Sequence, residues 1–407
     1  MNRAFLALPA FFGVVILAFS APPKNLDKRV KAITKSAILI DTHNDIPSFT
    51  VDGDDIGKPT PERDTDIARL KAGGVGAVFF SVFVAASYVE GNHSANRALQ
   101  LTDSVRHDII ARYPNDFLFA RTADDIVKAH KQHKIAALMG LEGGHAIEDN
   151  PRLLRDFYDL GIRYMTLTHT NTNTWADSSG DMENPKVQHH NGLTPLGKDI
   201  VREMNRLGMM VDISHVADKT FWDALATSQA PLIASHSSCR ALTNVPRNMT
   251  DDMIKALAQK GGVIQINFNC GFLSQKAADA EQNSPLRGQY LQIVGQYKDD
   301  PARRKQELDK LIADSKKTMV RATLDDVVAH IDHARQIAGI DAIGIGSDFD
   351  GVECTPVGLD DVSKFPDLTR ALLEKGYTAQ DIKKIYGGNT LRLMRQVEKV
   401  AAQLQKQ

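Results

Sequence analysis

Short aliphatic runs alternate along this chain with longer stretches of mixed polarity, and eight of those runs read as buried strands. They are Ala37 to Ile40, Ala77 to Val84, Ala136 to Leu141, Arg163 to Thr168, Met209 to Ile213, Leu232 to Ser235, Val263 to Phe268 and Ala342 to Gly346. Each is too short for a helix and nearly continuous in apolar residues, the pattern of a parallel strand covered on both faces. The stretches between them are mostly helical in character, as over Glu90 to Arg112. Eight strands separated by helical segments predict an α/β fold, a (β/α)8 TIM-type barrel forming one domain over residues 22–407. Two stretches depart from the plan. Val51 to Asp66, rich in Gly, Pro and Asp, reads as a loop over one end. Gly271 to Gly339 is too long for an ordinary crossover, and its run DDPARRKQELDK reads as a solvated helix, so a helical insertion over about 271–320 is expected after the seventh run.

Polar residues are not scattered over this pattern. Six of the eight runs end in His, Asp or Glu at the C-terminal end, the face on which such a barrel carries its chemistry. His43 and Asp45 close the first run in AILIDTHNDIP, Glu142 the third, His169 the fourth, His215 the fifth, His236 the sixth, and Asp348 and Asp350 the eighth. Because side chains alternate along a strand, His43 and Asp45, two apart, can face one space. Three imidazoles and two carboxylates, His43, Asp45, Glu142, His215 and His236, suit zinc, with no thiolate competing. Five donors exceed one tetrahedral site but suit two metals if a carboxylate bridges them, and Glu142, on a strand between the two sets, is the natural bridge. Two such ions can share a hydroxide, so no serine or cysteine nucleophile is required. A lone strand-end histidine is more often a hydrogen-bonded structural residue; the joint placement on successive strands is what reverses that reading. His130, His133, His189, His190, His330 and His333 fall on helical or loop stretches and read as structural.

Composition narrows the function further. The 407 residues, 43% hydrophobic, can bury a large core, and a formal net charge of −1 offers no electrostatic footprint for nucleic acid or anionic membrane. Arg3 followed by the apolar run Phe5 to Phe19, with Ala18-Phe19-Ser20 before Ala21, reads as a signal peptide over residues 1–21, a retained anchor being the alternative. The closing stretch VEKVAAQLQKQ has no hydrophobic tail for a GPI signal, so an exported protein, periplasmic or secreted, without a stable membrane anchor is expected. Cys239, Cys270 and Cys354 are too few for a disulfide framework; they read as buried thiols, with one bridge at most.

Several long motifs, in one order over nearly the whole mature chain, carry a family resemblance: DTHNDIP, GLEGGHAIED, YMTLTHTNTNTWADS, VDISHVAD, SHSSCRALTNVPRNMTDD, IGSDFDGV and YGGNTLRLM. They resemble the membrane (renal-type) dipeptidases, the M19 metallopeptidase family. The resemblance implies His43 and Asp45 on one zinc, His215 and His236 on a second, and Glu142 across both. It implies that His169 contacts the substrate and stabilises the tetrahedral oxyanion, that Arg247 binds the substrate's terminal carboxylate, and that Asp348 handles the proton, with Glu142 and His169 counted beside it in the catalytic set. The implied activity is hydrolysis of free dipeptides by a metal-bridging hydroxide, extending to a C-terminal D-residue and to β-lactams, in a protein that can form a homodimer.

This chain departs from the animal members at Asn171, where they carry a cysteine, in lacking a GPI signal, and in the longer insertion. Two other classes are weaker fits. A binuclear amidohydrolase-type enzyme opens on H-x-H and bridges its metals with a carboxylated lysine on strand four, whereas this chain offers H-x-D and His169. A non-enzymatic exported metal- or peptide-binding protein would keep the ligands without needing Asp348.

Overall fold

Nine parallel strands run through the computed structural model of this chain, which describes residues 25–297, 300–315 and 317–406. They are β1 (Leu39–Asn44), β2 (Val75–Phe83), β3 (Phe117–Phe119), β4 (Ile135–Glu142), β5 (Ile162–Thr166), β6 (Met210–Asp212), β7 (Ile233–Ser237), β8 (Val263–Ile266) and β9 (Ile343–Ile345). Eight of them close a barrel in the order β2, β1, β9, β8, β7, β6, β5, β4, with β4 returning to β2 in register from Ala77 opposite Ala136 to Phe83 opposite Glu142. This is the (β/α)8 architecture the run pattern predicts. The proposed signal peptide lies outside the described residues.

Two departures from the sequence reading have a clear physical reason. β3 is an additional strand that pairs only with the start of β4, Phe117 opposite Ile135, before β5 takes over that edge at Met139. Three residues are too few for periodicity to register. β1 continues past Ile40 through His43 to Asn44, because its polar end is satisfied inside the barrel. Asp41 accepts hydrogen bonds from the Ser347 N–H (2.8 Å) and hydroxyl (2.5 Å), and the Thr42 hydroxyl donates to the Ser235 carbonyl at 2.6 Å.

The helices begin where short polar side chains can take up orphan N–H groups: Asp66, Thr122, Thr194, Thr250 and Thr323 each cap a helix, and Thr122 and Thr323 complete reciprocal capping boxes with Asp125 and Asp326. Inside the barrel Ile40, Phe79, Leu138, Tyr164, Met210, Ile233 and Val263 belong to one cluster with Leu393, Met394 and Val397 of the C-terminal helix Asn389–Leu404. Gly140 matters here, because a Cβ at that position would lie 1.9 Å from the Tyr164 ring. Only glycine lets that ring lie against β4.

Between β8 and β9 the chain passes through helices Cys270–Leu273, Gln275–Gln282, Leu286–Gln296, Pro301–Ser315 and Leu324–Ala338, and most of the charged run DDPARRKQELDK lies in the fourth. Cys270 and Cys354 are joined in a disulfide across 84 residues, while Cys239 stays free and buried, its thiol pushed up to about 12 by burial. That corrects the reading of all three as buried thiols. The partners are remote in sequence and meet because β8 and β9 are neighbours, each Cys lying in the segment that follows one of those strands. Of the histidines read as structural, His330 is buried, accepting from the Cys239 N–H and donating to the Leu273 carbonyl, and His333 pairs with Asp251. No helix among the described residues is long and apolar enough to cross a membrane.

Candidate metal centre

Donors from several strand ends meet at the C-terminal mouth of the barrel. The Nε2 of His43 is 3.3 Å from Oδ2 of Asp45, two residues on. Glu142, the last residue of β4, stands between two sets: its Oε2 is 3.2 Å from His43 Nε2, and its Oε1 is 3.1 Å from His215 Nε2 and 3.3 Å from His236 Nε2. The two latter nitrogens are 3.0 Å apart. His169 brings its Nε2 to 3.8 Å from Glu142 Oε1, and Asp348 its Oδ1 to 4.0 Å from His43 Nε2. Arg247 reaches in from the loop after β7, its Nη2 donating to the His236 carbonyl at 2.7 Å and its Nη1 to Ser237 Oγ at 3.3 Å. All eight residues singled out in the sequence thus gather in one place. Asp350 does not: its Oδ1 accepts from the Asp64 N–H at 2.8 Å and braces the neighbouring loop.

A layer of residues beneath decides which nitrogen of each imidazole faces the centre. The Tyr164 hydroxyl donates to the Thr42 carbonyl at 3.0 Å, so at 2.7 Å from His43 it accepts the Nδ1 proton and leaves Nε2 with its lone pair pointing inward. The Ser235 hydroxyl donates to Asp212 Oδ2 at 2.6 Å and in turn accepts from His236 Nδ1 at 2.7 Å, with the same result. Asp212 also takes the Thr166 hydroxyl and the N–H groups of Ser214 and Ser235. Sequence reasoning passed over Tyr164, Asp212 and Ser235. The signal was present, since VDISH and DTHND both place an Asp shortly before the ligand histidine, but a buried carboxylate one layer down is not distinguishable by spacing from a ligand.

These donors fit a metal, and two buried atoms test it. Among the described residues His43 Nε2 and Asp45 Oδ2 have no hydrogen-bond partner although both are buried. A lone pair and a carboxylate oxygen aimed at one another out of water are unfavourable unless a cation lies between them. The electrostatics agree. Burial holds His215 and His236 well below the ordinary imidazole range, keeping them neutral, as ligand imidazoles must be. Burial also opposes charge on Glu142, yet His43 and the close approach of His215 and His236 bring its pKa well below the usual range. For His43 burial disfavours the charged form, but Tyr164, Glu142 and Asp45 outweigh it and raise the pKa well above the ordinary value, so that without a cation Nε2 takes a proton, whose place a metal ion would fill. The cluster draws positive charge toward its centre. Nitrogen and oxygen donors without thiolate suit a borderline divalent ion such as zinc.

Backbone strain is present at the same place. His215 (φ 66°) and Asp348 (φ 65°) are non-glycine residues in the left-handed region, a conformation that persists only where the surroundings enforce it and that clusters at functional sites. Burial raises the Asp348 carboxyl to about 8, with Asp45 and Glu142 adding to the rise and His43 and the Asn267 hydrogen bond opposing it. Arg247 is half-buried, but its Nε is out of water and has no acceptor among the described residues.

Comparisons with known proteins converge. A family described as membrane dipeptidase (peptidase family M19) matches residues 27–407. Dipeptidase verJ of Clonostachys rogersoniana is 37% identical over 395 residues, covering 93% of this chain and 89% of that protein. Among solved structures, the probable dipeptidase PvdM from Pseudomonas aeruginosa superposes with a TM-score of 0.77 at 24% identity, over 93% of this chain and 100% of that one. A metallo peptidase from Rhodobacter sphaeroides, solved with a phosphinate mimic of the dipeptide L-Ala-D-Ala, gives 0.71 at 24% identity, over 89% of this chain and 100% of the other.

Proposed function

The chain belongs to the membrane dipeptidase family, peptidase family M19, and on that premise we propose that it is a binuclear zinc dipeptidase that hydrolyses the peptide bond of free dipeptides. The observation that carries this reading is the position of Glu142, one carboxylate oxygen toward His43 and the other toward His215 and His236. A bridging carboxylate between two ligand sets needs that disposition. In the proposal His43 and Asp45 would hold one zinc, His215 and His236 the other, and Glu142 both. Bound there, such ions would polarise the scissile carbonyl and could lower the pKa of a water from 15.7 to about 7, making it the nucleophile.

The remaining steps fall to side chains. His169, whose pKa is lowered chiefly by burial, presents a neutral imidazole beside Glu142, where it can donate to the oxygen that becomes the oxyanion. Asp348 takes the proton from the attacking water and passes it to the leaving amine, which departs neutral. Arg247 binds the substrate's terminal carboxylate. Its guanidinium is already oriented by the His236 carbonyl and Ser237, lies 5.4 Å from the centroid of the Phe272 ring, and keeps a buried N–H without an acceptor among the described residues.

The clamp explains restriction to dipeptides. A carboxylate accepts two parallel charged hydrogen bonds, whereas the amide of a longer peptide offers one neutral oxygen and leaves the buried guanidinium poorly paired. Losing one partner of such a pair costs about 2 to 5 kcal/mol, more than tenfold in affinity. A dipeptide should therefore exceed its C-terminal amide in kcat/KM by more than about tenfold, and Arg247→Ala should raise KM for the acid and narrow the gap. Equal kcat/KM for acid and amide in the unaltered enzyme sinks the clamp.

The phosphinate-bound relative leads us to extend the proposal to a C-terminal D-residue, and a β-lactam presents the same class of amide bond. A panel of L,L- and L,D-dipeptides with one β-lactam, assayed on zinc-loaded protein, tests the reading as a whole; no turnover of any dipeptide refutes it. We propose further that the protein is exported. The Cys270–Cys354 bridge supports this, since such bonds persist in oxidising compartments, as does the apolar run Phe5 to Phe19. In the source cells the mature chain should carry one free thiol per molecule after denaturation, that of Cys239; three thiols in protein recovered under alkylation argue against export.

A further inference from the structure

We propose that Asn267 is a positioning residue for the reaction, fixing the Asp348 carboxylate so that Oδ2 is held and Oδ1 alone is presented to the proton in transit. The inference rests on the role given to Asp348 above. Asn267 follows β8 directly and is fully buried. Its Nδ2 donates to Asp348 Oδ2 at 2.8 Å, and among the described residues this is the sole hydrogen bond to that carboxylate. The amide cannot be turned over without loss, because its Oδ1 already accepts the Asn269 N–H at 2.5 Å. The donor end must therefore face Asp348.

The frame around the pair is rigid on both sides. Asn267 donates its own N–H to the Ser237 carbonyl at 3.1 Å, and Phe268 donates to the Ser347 carbonyl at 3.1 Å, so the ends of β7, β8 and β9 are laced together at this level. Three residues beyond Asn267, Cys270 is joined to Cys354 by the disulfide and by a hydrogen bond from its N–H to the Cys354 carbonyl at 3.1 Å. Asp348 itself sits in the left-handed region with its N–H given to the His43 carbonyl at 3.0 Å. Its backbone is thus pinned, but χ2 of an aspartate is a soft, roughly two-fold torsion. Asn267 is the group that settles it, turning Oδ1 toward the His43 side of the centre, 4.0 Å from Nε2.

A merely structural asparagine and a positioning one predict different kinetics. A carboxylate free to swing by about 1 Å misses the proton path, and such misplacement costs up to about 10²-fold. On the metal-loaded full chain Asn267→Ala should lower kcat for a dipeptide by about 10- to 100-fold, with KM and metal content nearly unchanged. In an Asp348→Asn background the same substitution should lower kcat by less than about twofold, because the group it positions is already disabled. A single variant within about twofold of the unaltered enzyme, or a loss that carries over in full to the Asp348→Asn background, overturns the proposal. Should Asn267→Ala fail to fold, Asn267→Asp keeps the acceptor for the Asn269 N–H while placing an oxygen against Asp348, and the same two comparisons apply. If the unaltered enzyme turns over no dipeptide, the proposed function falls, and crystal structures decide this point separately. An Asp348 carboxylate rotated in Asn267→Ala upholds the positioning role, and one that keeps its orientation overturns it.

Discussion

Replacing Glu142 by glutamine is expected to remove dipeptide hydrolysis, with kcat/KM falling by about 10³-fold or more and metal content dropping below two per chain. The substitution keeps the size of the side chain but withdraws the negative charge lying between two imidazole sets, one oxygen 3.2 Å from His43 and the other 3.1 and 3.3 Å from His215 and His236. An amide offers one neutral carbonyl oxygen, and its NH2 would be aimed at nitrogen lone pairs or at a cation. Two divalent ions would then face one another across a buried site with only Asp45 and the more distant Asp348 to balance them. With neither ion bound, water keeps its bulk pKa and the roughly eight orders of magnitude in hydroxide fraction implied by a shift from 15.7 to about 7 are forfeited at neutral pH, while one remaining ion would still acidify a water but lose the shared clamp on nucleophile and carbonyl. Chelation of the unaltered protein should reproduce the loss of activity, and added zinc should restore activity. Elemental analysis alongside the assay decides the matter, since full activity with one ion per chain rules out the binuclear reading.

Asp348→Asn has the second largest expected effect, and of a different kind. Both zinc ions should remain bound and KM should change little, while kcat falls by about 10²- to 10⁴-fold, the range for a positioned acid-base group. The reasoning is geometric. Asp348 Oδ1 stands 4.0 Å from His43 Nε2, near the ligands but beyond the closest donor pairs, and Asn267 holds the opposite oxygen. That places a carboxylate where it can exchange protons with a water at the centre without being needed to retain the ions. Asparagine preserves the shape and abolishes the exchange. Near-normal kcat in this variant moves the proton-handling role elsewhere, and loss of an ion makes Asp348 a ligand. Asp350, the next carboxylate along, is a poor substitute, because it is turned away to the Asp64 backbone.

What could be read from the chain alone was whatever depends on short-range periodicity and on residue type. Eight apolar runs were visible as strands because parallel strands buried on both faces need uninterrupted aliphatic character, and their polar ends marked the chemical face because that face lies at the strands' C-termini. The donor set at those ends followed from the same two facts, and long motifs tied it to a family. Tertiary structure alone decided the rest. The strand Phe117–Phe119 is too short to carry a period and exists because β4 has an open edge before β5 begins. The Cys270–Cys354 bridge spans 84 residues and forms because β8 and β9 are neighbours. Tyr164, Asp212, Ser235 and Asn267 look in the sequence like ordinary buried polar residues. Their functions come from the direction of single hydrogen bonds between strands far apart in sequence, such as Tyr164 to His43 across 121 residues and Asn267 to Asp348 across 81. Local pattern specifies which element a residue joins and which face it takes, because those are set by neighbours a few bonds away. Which atom of its side chain points at which partner is set by the closure of the barrel, and that is a property of the whole chain.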